Sequence, residues 1–424
     1  MFFPQPHTGS NSITIKSHNL QAILLALLKY EYISRARLAS LTGLSNTTIT
    51  NQVTELLAQG IVVEEGTTPI EPRDGAGRPR MALSLNPRAR YAIGIHIGIG
   101  LVRLALTDLR ANVIYDYNLT HRLDKPAAEV LNETAKQAEK LIAASDIDSS
   151  HIIGIGIGAS GLVDPETGLN LMAPNLNWKN VPIKDIFRQQ LALPVVVDNN
   201  VRAMALGEAL FGSAQDVRVL AFVYARHGVG AGFVVDGRLY RGSGAGAGEI
   251  GHTTITLEGG ELCRCGNRGC LEPLVSEPSI LAQAATLARQ NGEGLLASYL
   301  RSVPEPTIEQ VFAAARAGDA ATQTMLAERA HYMGIALANL VNIFNPELIL
   351  LGGIFFQGQD LLLSTVADTI RQRSFGNLGE RVTVRPTSFG QQAGVIGAAA
   401  LALTTFFYYQ QPSLQLNLDQ GIRG

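Results

Sequence analysis

Residues 248–272 read GEIGHTTITLEGGELCRCGNRGCLE and contain all three cysteines of the 424-residue chain. Three thiols cannot all pair as disulfides, and cysteines clustered in a large, cysteine-poor chain are typical of a metal site in a reducing compartment. Three thiolates and one imidazole suit tetrahedral zinc and leave no coordination position open. The stretch therefore predicts one structural zinc ion per chain, with three idle thiols as the alternative. The predicted ligands are His252, Cys263, Cys265 and Cys270.

Two glutamates flank the predicted metal ligands. Glu249 precedes His252 within the run EIGH, and Glu272 follows Cys270 within the run CLE. A metal-bound imidazole has a fixed orientation and keeps one ring nitrogen for another hydrogen bond. Because each sugar hydroxyl both donates and accepts, rigid carboxylates beside an imidazole suit a polyhydroxylated ligand. We therefore expect a sugar site whose shape depends on the metal.

The glycine-rich chain on both sides of this stretch predicts two α/β lobes. From Tyr91, three strand-like runs precede a helix-like run near residues 127–144 and the buried strand HIIGIGIGASG. From Leu220, the run LAFVYARHGVGAGFVVDGRLYRG repeats the pattern of strand, glycine turn and returning strand. Such a repeat is typical of two lobes with a ligand cleft between them. We place the first lobe at residues 91–214 and the second, with the zinc-binding loop, at residues 215–424.

The first 90 residues differ from the rest in charge and pattern. They carry nine lysines and arginines against six acids, although the whole chain has a net charge of −2. Apolar residues recur at helical spacing over residues 20–28 and 49–57. Ser34 and Ser45 stand where N-caps belong, and Gly43 provides a turn. The pattern predicts a helix-turn-helix, with a three-helix protein-interaction module as the alternative.

Two parts of this unit are predicted to contact DNA. Short polar side chains suited to base edges occupy the outward positions of the third helix, namely Asn46, Thr47, Thr48, Thr50 and Asn51. Two strand-like runs then enclose a loop with Arg78 and Arg80, which predicts a wing that enters the minor groove. A merely solvated loop is the alternative for these arginines. Residues 1–90 are thus predicted to form a winged helix-turn-helix domain that binds double-stranded operator DNA.

Composition narrows the class of protein further. A chain of 424 residues with 46% hydrophobic residues predicts two or three globular domains. The apolar run AILLALL, residues 22–28, is too short to span a bilayer, and a polar segment follows it where a cleavage site would be expected. We expect no membrane association and a cytoplasmic location.

These motifs resemble the ROK family, named for its repressors, open reading frames and kinases. The runs EIGH and CRCGNRGCLE resemble its signature, and GIGIGASGLVDPETG, APNLNW and NIFNPELILLGG resemble further family segments. The resemblance extends over nearly the whole chain. With the helix-turn-helix in front, the sequence is similar to the xylose- and N-acetylglucosamine-responsive repressors of that family. It implies a two-lobed, actin-like (ribonuclease H-like) ATPase-type fold, a monosaccharide effector between the lobes, and a homodimer or higher homo-oligomer.

The resemblance also assigns residues, which we carry over by motif. The implied sugar contacts are Asn199, Asn200, Glu249, His252 and Glu272. Kinase members have a general-base aspartate where this chain has Asn200, and an amide cannot accept a proton at neutral pH. It can still form a hydrogen bond with a sugar hydroxyl. We therefore expect sugar recognition without catalysis.

The phosphate side departs from the kinase pattern as well. His96 and Gly100 stand where kinase members have the aspartate and threonine of an Asp-x-Gly-x-Thr run, and a neutral imidazole is a poor magnesium ligand. Arg226 and His227 replace small phosphate-cradling residues. The sequence therefore predicts a sugar-responsive transcriptional repressor with no catalytic residues. An ATP-dependent sugar kinase with an accessory DNA-binding domain is one alternative, and a zinc or redox sensor is another.

Overall fold

A small helical unit and two α/β lobes make up the structure, a computed structural model that describes residues 12–67, 81–292, 294–303 and 305–409. Arg78 and Arg80, predicted to form the wing contact, lie outside these residues. Within the described ranges, no helix is both long and apolar enough to cross a membrane.

The N-terminal unit has three helices and a two-stranded antiparallel sheet. Its elements are α1 Ser12–Lys29, α2 Arg35–Thr42, α3 Asn46–Ala58, β1 Val62–Thr67 and β2 Met81–Leu85. The hydroxyl of Ser34 accepts a hydrogen bond from Arg37 N at 3.2 Å, and that of Ser45 accepts one from Thr48 N at 3.1 Å, so both predicted N-caps are confirmed. Gly43 adopts a left-handed φ of 69° at the turn between α2 and α3. The predicted winged helix-turn-helix is confirmed.

The remainder of the chain forms two lobes, as predicted. The first contains β3 Tyr91–Ile97, β4 Leu101–Asp108, β5 Val113–Thr120, α4 Ala127–Ala144, β6 Ile152–Ala159, β7 Leu162–Asp164, β8 Leu169–Ala173, β9 Trp178–Pro182, α5 Ile183–Leu191, β10 Val195–Asn199 and α6 Asn200–Phe211. The second contains β11 Val219–Ala225, β12 Val229–Val235, β13 Arg238–Tyr240, α7 Glu272–Val275, α8 Glu277–Gln290, α9 Leu295–Arg301, α10 Ile308–Arg316 and α11 Ala320–Phe344. It continues with β14 Leu348–Gly353, α12 Ile354–Gln357, α13 Gln359–Arg373, α14 Leu378–Arg381, β15 Thr383–Pro386, α15 Ala393–Leu403 and the π-helical turn Thr404–Tyr408.

Both lobes are built on five-stranded sheets with the same topology. The strand order is β10-β6-β3-β4-β5 in the first and β13-β12-β11-β14-β15 in the second. In each sheet the first three strands in sequence form an antiparallel meander, and the last two join it in parallel. This equivalence confirms the repeat that the sequence predicts.

Two helices cross between the lobes, and each packs on the sheet of the other lobe. Helix α6 follows the last strand of the first sheet and packs against β11 and β12, whereas α15 ends the second lobe and packs against β3 and β6. The two helices approach each other closely at Gly207 and Gly397. A Cβ on Gly207 would lie only 3.1 Å from the Cα of Gly397, so the absence of a side chain at Gly207 permits this approach. The described end of the 215–424 segment thus lies on the first sheet, although the division of the chain into lobes remains a prediction.

The DNA-binding unit rests on these crossing helices. Leu25 of α1 packs against the apolar cluster formed by α6 and α15, and Phe211 packs against the same cluster. The Arg110 guanidinium, in the β4–β5 turn, donates hydrogen bonds to the carbonyl oxygens of Leu28 at 3.0 Å and Leu27 at 3.3 Å, at the end of α1. Lys29 adds an ion pair with Asp216, directly after α6. The end of α1 therefore contacts both the β4–β5 turn of the first lobe and the segment that follows α6.

Candidate ligand cleft and metal centre

A cavity of about 450 Å³ lies between the lobes and receives the N-termini of α6 and α15. Its walls include the residues for which the sequence predicts sugar contacts: Asn199, Asn200, Glu249, His252 and Glu272. Those five residues come from three segments that span 73 positions, from Asn199 to Glu272, and the fold brings all of them to one cavity. The volume lies within the usual range for small-molecule sites.

The two asparagines have different surroundings. The side-chain oxygen of Asn199 caps α6, because it accepts hydrogen bonds from Val201 N at 2.8 Å and Arg202 N at 3.2 Å. Its amide nitrogen donates to Gly161 O at 2.9 Å, which leaves one N–H for a ligand. The Asn200 amide nitrogen lies 3.3 Å from His96 Nε2 and donates to Ser160 Oγ at 3.4 Å, whereas its oxygen has no hydrogen bond within the described ranges. Asn200 is therefore the asparagine with more hydrogen-bonding capacity left for a ligand.

The second lobe contributes the carboxylates. Burial raises the pKa of the Glu249 carboxyl above its usual value, with Glu272 acting in the same direction and His252 opposing it. One oxygen of Glu272 accepts a hydrogen bond from Val229 N at 3.1 Å, so the orientation of that carboxylate is fixed. Both groups are acceptors when ionised, which suits sugar hydroxyl donors.

The four predicted metal ligands converge beside these carboxylates. Their ligand atoms all lie within 4.8 Å of one another. His252 Nδ1 is 3.6 Å from Cys263 Sγ, and Cys265 Sγ is 3.8 Å from Cys270 Sγ. Because Nδ1 faces the thiols, Nε2 is the ring nitrogen of His252 that remains for a ligand in the cavity.

The donor set fits a tetrahedral ion. Ligand pairs on zinc with bonds of about 2.0–2.3 Å lie roughly 3.4–3.8 Å apart, which is close to the two separations in this cluster. The same separations are too long for a disulfide bond of about 2.0 Å, and all three cysteines are free. Burial raises the pKa of the Cys263 thiol and raises that of Cys270 to about 12, so a thiolate at either position needs a nearby cation. The cluster can hold a metal ion.

Beneath the asparagines lies a buried charge network. The Asp198 carboxylate accepts a hydrogen bond from Arg202 Nε at 2.7 Å, and the side chains of both residues are 1% exposed. Its other oxygen accepts hydrogen bonds from Arg241 at 2.8 and 3.0 Å. Arg202 also donates to the carbonyl oxygens of Val163 and Ala245. The network joins β10 and α6 to the segment that leads to Glu249.

Several residues that the sequence analysis did not single out also line the cavity. Arg103 lies opposite His96 in the β3–β4 ladder, and the period-two alternation of strands places both side chains on one face. Burial, together with the charges of Arg103 and Arg226, lowers the pKa of His96 to about 3. Across the cleft, the Arg264 guanidinium of the cysteine-rich loop donates a hydrogen bond to the side-chain oxygen of Asn175 in the first lobe.

The residues predicted to read DNA lie on the solvent face of α3. Asn46, Thr47, Thr50 and Asn51 are exposed, and Thr48 is half-buried. The Thr48 hydroxyl lies 2.9 Å from that of Ser45, and the Thr50 hydroxyl donates to Asn46 O at 2.8 Å. Among the described residues, no hydrogen bond engages the side chains of Asn46, Thr47 or Asn51. Ile49 and Val53 anchor the helix in the core.

Comparison with known proteins agrees with this architecture. The family model for the ROK family matches residues 92–405, and a family model described as winged helix-turn-helix DNA-binding matches residues 16–63. The chain belongs to the ROK family. The family match, with the winged helix-turn-helix in front of it, confirms the predicted two-lobed, actin-like fold.

Two relatives and one solved structure are similar to this chain over most of its length. The xylose repressor of Caldicellulosiruptor bescii is 33% identical over 401 residues, which cover 95% of this chain and 99% of that repressor. The glucokinase of Halalkalibacterium halodurans is 31% identical over 312 residues, which cover 74% of this chain and 94% of that enzyme. A solved structure of a ROK family transcriptional regulator, a homologue of the Escherichia coli MLC protein, is similar with a TM-score of 0.79 at 31% identity. It covers 93% of this chain and 98% of its own.

Proposed function

We propose that this ROK protein is a sugar-responsive transcriptional repressor, in which the N-terminal domain binds operator DNA and the two-lobed domain binds a monosaccharide without phosphorylating it. One observation carries the proposal: the winged helix-turn-helix packs directly on α6 and α15, the two helices that cross between the lobes, and the cleft between those lobes contains Asn200. The similarity to the xylose repressor over both domains supports it.

Sugar recognition would depend on groups that accept and donate hydrogen bonds on both sides of the cleft. Glu249 and Glu272 would accept from hydroxyls, His252 would use Nε2, and the asparagines Asn199 and Asn200 would provide amide groups. An amide at Asn200 cannot act as a general base. Phosphate transfer would therefore lack the group that takes the proton of the attacking hydroxyl.

One zinc ion per chain would be held by the three cysteines and His252. Bound there, the ion would neutralise the thiolates and fix the cysteine-rich loop, a structural task that leaves no site for substrate. The loop would then hold His252 in one orientation, and it also carries Arg264 to Asn175 across the cleft. Metal binding and sugar binding are coupled in this proposal.

The response to sugar would pass through the crossing helices. A sugar that binds the closed cleft better than the open one shifts the population toward the closed form. Closure would rotate α6 against α15, and α1 rests on both. In a homodimer with recognition helices in successive major grooves, such a rotation would change their spacing and release the operator. Since chromosomal DNA would be the partner, the protein would act in the cytoplasm.

Footprinting on the DNA upstream of its own gene tests the DNA-binding part. Asn51→Ala should reduce discrimination between operator and random DNA, because it removes a base contact. Arg78→Ala and Arg80→Ala should weaken binding to all DNA and flatten its salt dependence. Thr54→Ala, an exposed position further along α3, is the control. If Asn51→Ala, Arg78→Ala and Arg80→Ala all bind operator as tightly and as selectively as the parent protein does, α3 and the wing are misassigned.

A further inference from the structure

One hydrogen bond joins the two lobes across the cavity without involving either crossing helix. The Arg264 guanidinium of the cysteine-rich loop donates to the Asn175 side-chain oxygen in the first lobe, and both residues line the cavity. Other hydrogen bonds between the lobes involve residues within α6 or next to it, as that of Asp198 with Arg241 does. The Asn175–Arg264 contact can therefore break while the helices that connect the lobes stay packed.

Asn175 is held on a well-anchored part of the first lobe. It lies in the single turn Pro174–Leu176 between β8 and β9, and the neighbouring side chains of Leu176 and Trp178 are buried. Asn177 ends the turn in a left-handed conformation with a φ of 56°, which asparagine tolerates better than most residues do. The turn thus determines where the half-buried Asn175 side chain lies.

The second lobe leaves room for Asn175 at a glycine. A Cβ on Gly228, in the β11–β12 turn, would lie 3.0 Å from Glu272 Oε2 and 3.5 Å from Asn175 Nδ2. Because Gly228 has no side chain, Asn175 reaches between this turn and the cysteine-rich loop. Its oxygen accepts from Arg264, and its amide nitrogen lies on the side of Gly228. Asn175 therefore approaches two separate elements of the opposite lobe.

This contact stabilises the closed cleft alone. Its partners lie on different lobes, so the hydrogen bond is lost when the lobes separate. A hydrogen bond from a charged guanidinium is stronger than one between neutral groups. Glu272, a proposed sugar contact, lies next to Gly228 and therefore close to Asn175. The contact thus adds to the barrier that a sugar bound at Glu272 must cross to leave.

We propose that Asn175 and Arg264 form a latch, which holds the cleft closed over the bound sugar and sets the rate at which the sugar leaves. The inference rests on the proposed function, because the latch encloses the same site. Both are positioning residues, since the sugar enters the open cleft and the latch forms only after the lobes approach each other. Loss of the latch should raise the dissociation rate of the sugar and leave its association rate unchanged.

Stopped-flow fluorescence measures both rates, with Trp178 as the probe. It is the single tryptophan of the chain and lies three positions from Asn175. Xylose, glucose and N-acetylglucosamine are each mixed with the parent protein and the variants. For a sugar that binds, Asn175→Ala and Arg264→Gln should each raise the dissociation rate roughly three- to tenfold, the effect of losing one hydrogen bond. Arg264→Lys should recover part of the loss, because an ammonium group still donates.

The response of DNA binding should follow the same order. Operator release, measured by fluorescence anisotropy, should require about three- to tenfold more sugar in Asn175→Ala and Arg264→Gln than in the parent protein. Operator affinity without sugar should stay the same in all variants, because neither substitution touches the DNA-binding unit. A substitution that merely destabilised the fold would change both measurements.

Two comparisons assign the effect to the latch. The double variant Asn175→Ala/Arg264→Gln should release sugar no faster than the more affected single variant, because both changes break one contact. Arg268→Gln is the matched control, since this exposed arginine of the same loop donates within the loop, to Gly260 O at 3.3 Å. Metal content and circular dichroism establish that each variant is folded.

The outcomes separate the latch from the proposed function. If a sugar binds and releases operator but leaves both single variants at the parent rate, the latch is overturned and the proposed function stands. Effects that add in the double variant, or that fall on the association rate, also overturn the latch. If no sugar binds, the proposed function fails, and hydrogen–deuterium exchange around Asn175 and Gly228 decides the latch. That exchange should rise in both single variants, and unchanged exchange overturns the latch.

Discussion

Loss of the Asp198 carboxylate should strongly destabilise the two-lobed domain. Its carboxylate accepts hydrogen bonds from Arg202 and Arg241, and both Asp198 and Arg202 have side chains that are 1% exposed. Asp198→Asn keeps the shape but leaves the Arg202 charge buried without a counterion. Removing one partner of such a pair costs about 3–5 kcal/mol. Since an asparagine oxygen still accepts one hydrogen bond, we expect the lower end of that range.

Arg241→Gln provides the matched control, because it removes the other arm of the same network. The Arg241 side chain is 41% exposed, so water replaces much of what the substitution removes. Loss of an exposed ion pair costs about 0–1 kcal/mol. The two substitutions should therefore differ by about 2 kcal/mol or more, although both change the contacts of one carboxylate.

Thermal unfolding measures this difference. At roughly 2 °C per kcal/mol, Asp198→Asn should lower the Tm of the two-lobed domain by about 6 °C and Arg241→Gln by about 2 °C or less. The same pair of variants should be compared with saturating sugar, which raises the Tm of every variant that still binds it. Equal Tm values for the parent protein and Asp198→Asn, or equal losses in both variants, would refute the buried network as described.

Three further predictions concern the metal, the sugar and pH. Cys265→Ser should lose zinc by elemental analysis and sugar binding by calorimetry together, because His252 loses its fixed orientation; retained sugar affinity in metal-free protein would separate the two sites. Sugar affinity of the parent should fall as the solution becomes acidic, since the raised pKa of Glu249 lets that acceptor become protonated at a higher pH than an ordinary glutamate, and Glu249→Gln should bind weakly at every pH. His96 has a folded pKa of about 3 against 6.5 unfolded, so only the unfolded state gains its proton between these values. Between these two pKa values His96 should therefore contribute a loss of stability that approaches about 1.4 kcal/mol per pH unit as the pH falls, and His96→Gln should show a shallower slope in urea unfolding.

The metal cluster and the recognition helix were predictable because their signals are local. Cys263, Cys265 and Cys270 lie within eight positions, and hydrophobic spacing with serine N-caps fixes the limits of α2 and α3. Strand alternation and glycine turns likewise predicted the meander that opens each lobe. In each of these cases, residues near in sequence determine the structure.

Other features depend on contacts between distant residues. Every residue of α15 is buried, so this helix has no polar face and no periodicity that indicates which sheet it covers. The pairing of Asn175 with Arg264 joins residues 89 positions apart and follows only from the closeness of the two lobes. Strand alternation places Arg103 on a definite face of β4, but the cavity beneath it requires the second lobe. The sequence contains no local signal for these contacts.

The central claim is that the sugar cleft controls DNA binding and performs no phosphate transfer. One preparation of the full chain tests it, with operator binding followed by anisotropy and ADP release followed in a coupled assay while sugar is titrated in the presence of ATP and Mg²⁺. The account predicts sugar-dependent loss of operator binding with no sugar-dependent ADP, and also no turnover in Asn200→Asp, because positioning and charge neutralisation carry most of phosphoryl transfer. Sugar-dependent ADP release by the unmodified protein at ordinary enzyme rates of about 1–100 per second would contradict it.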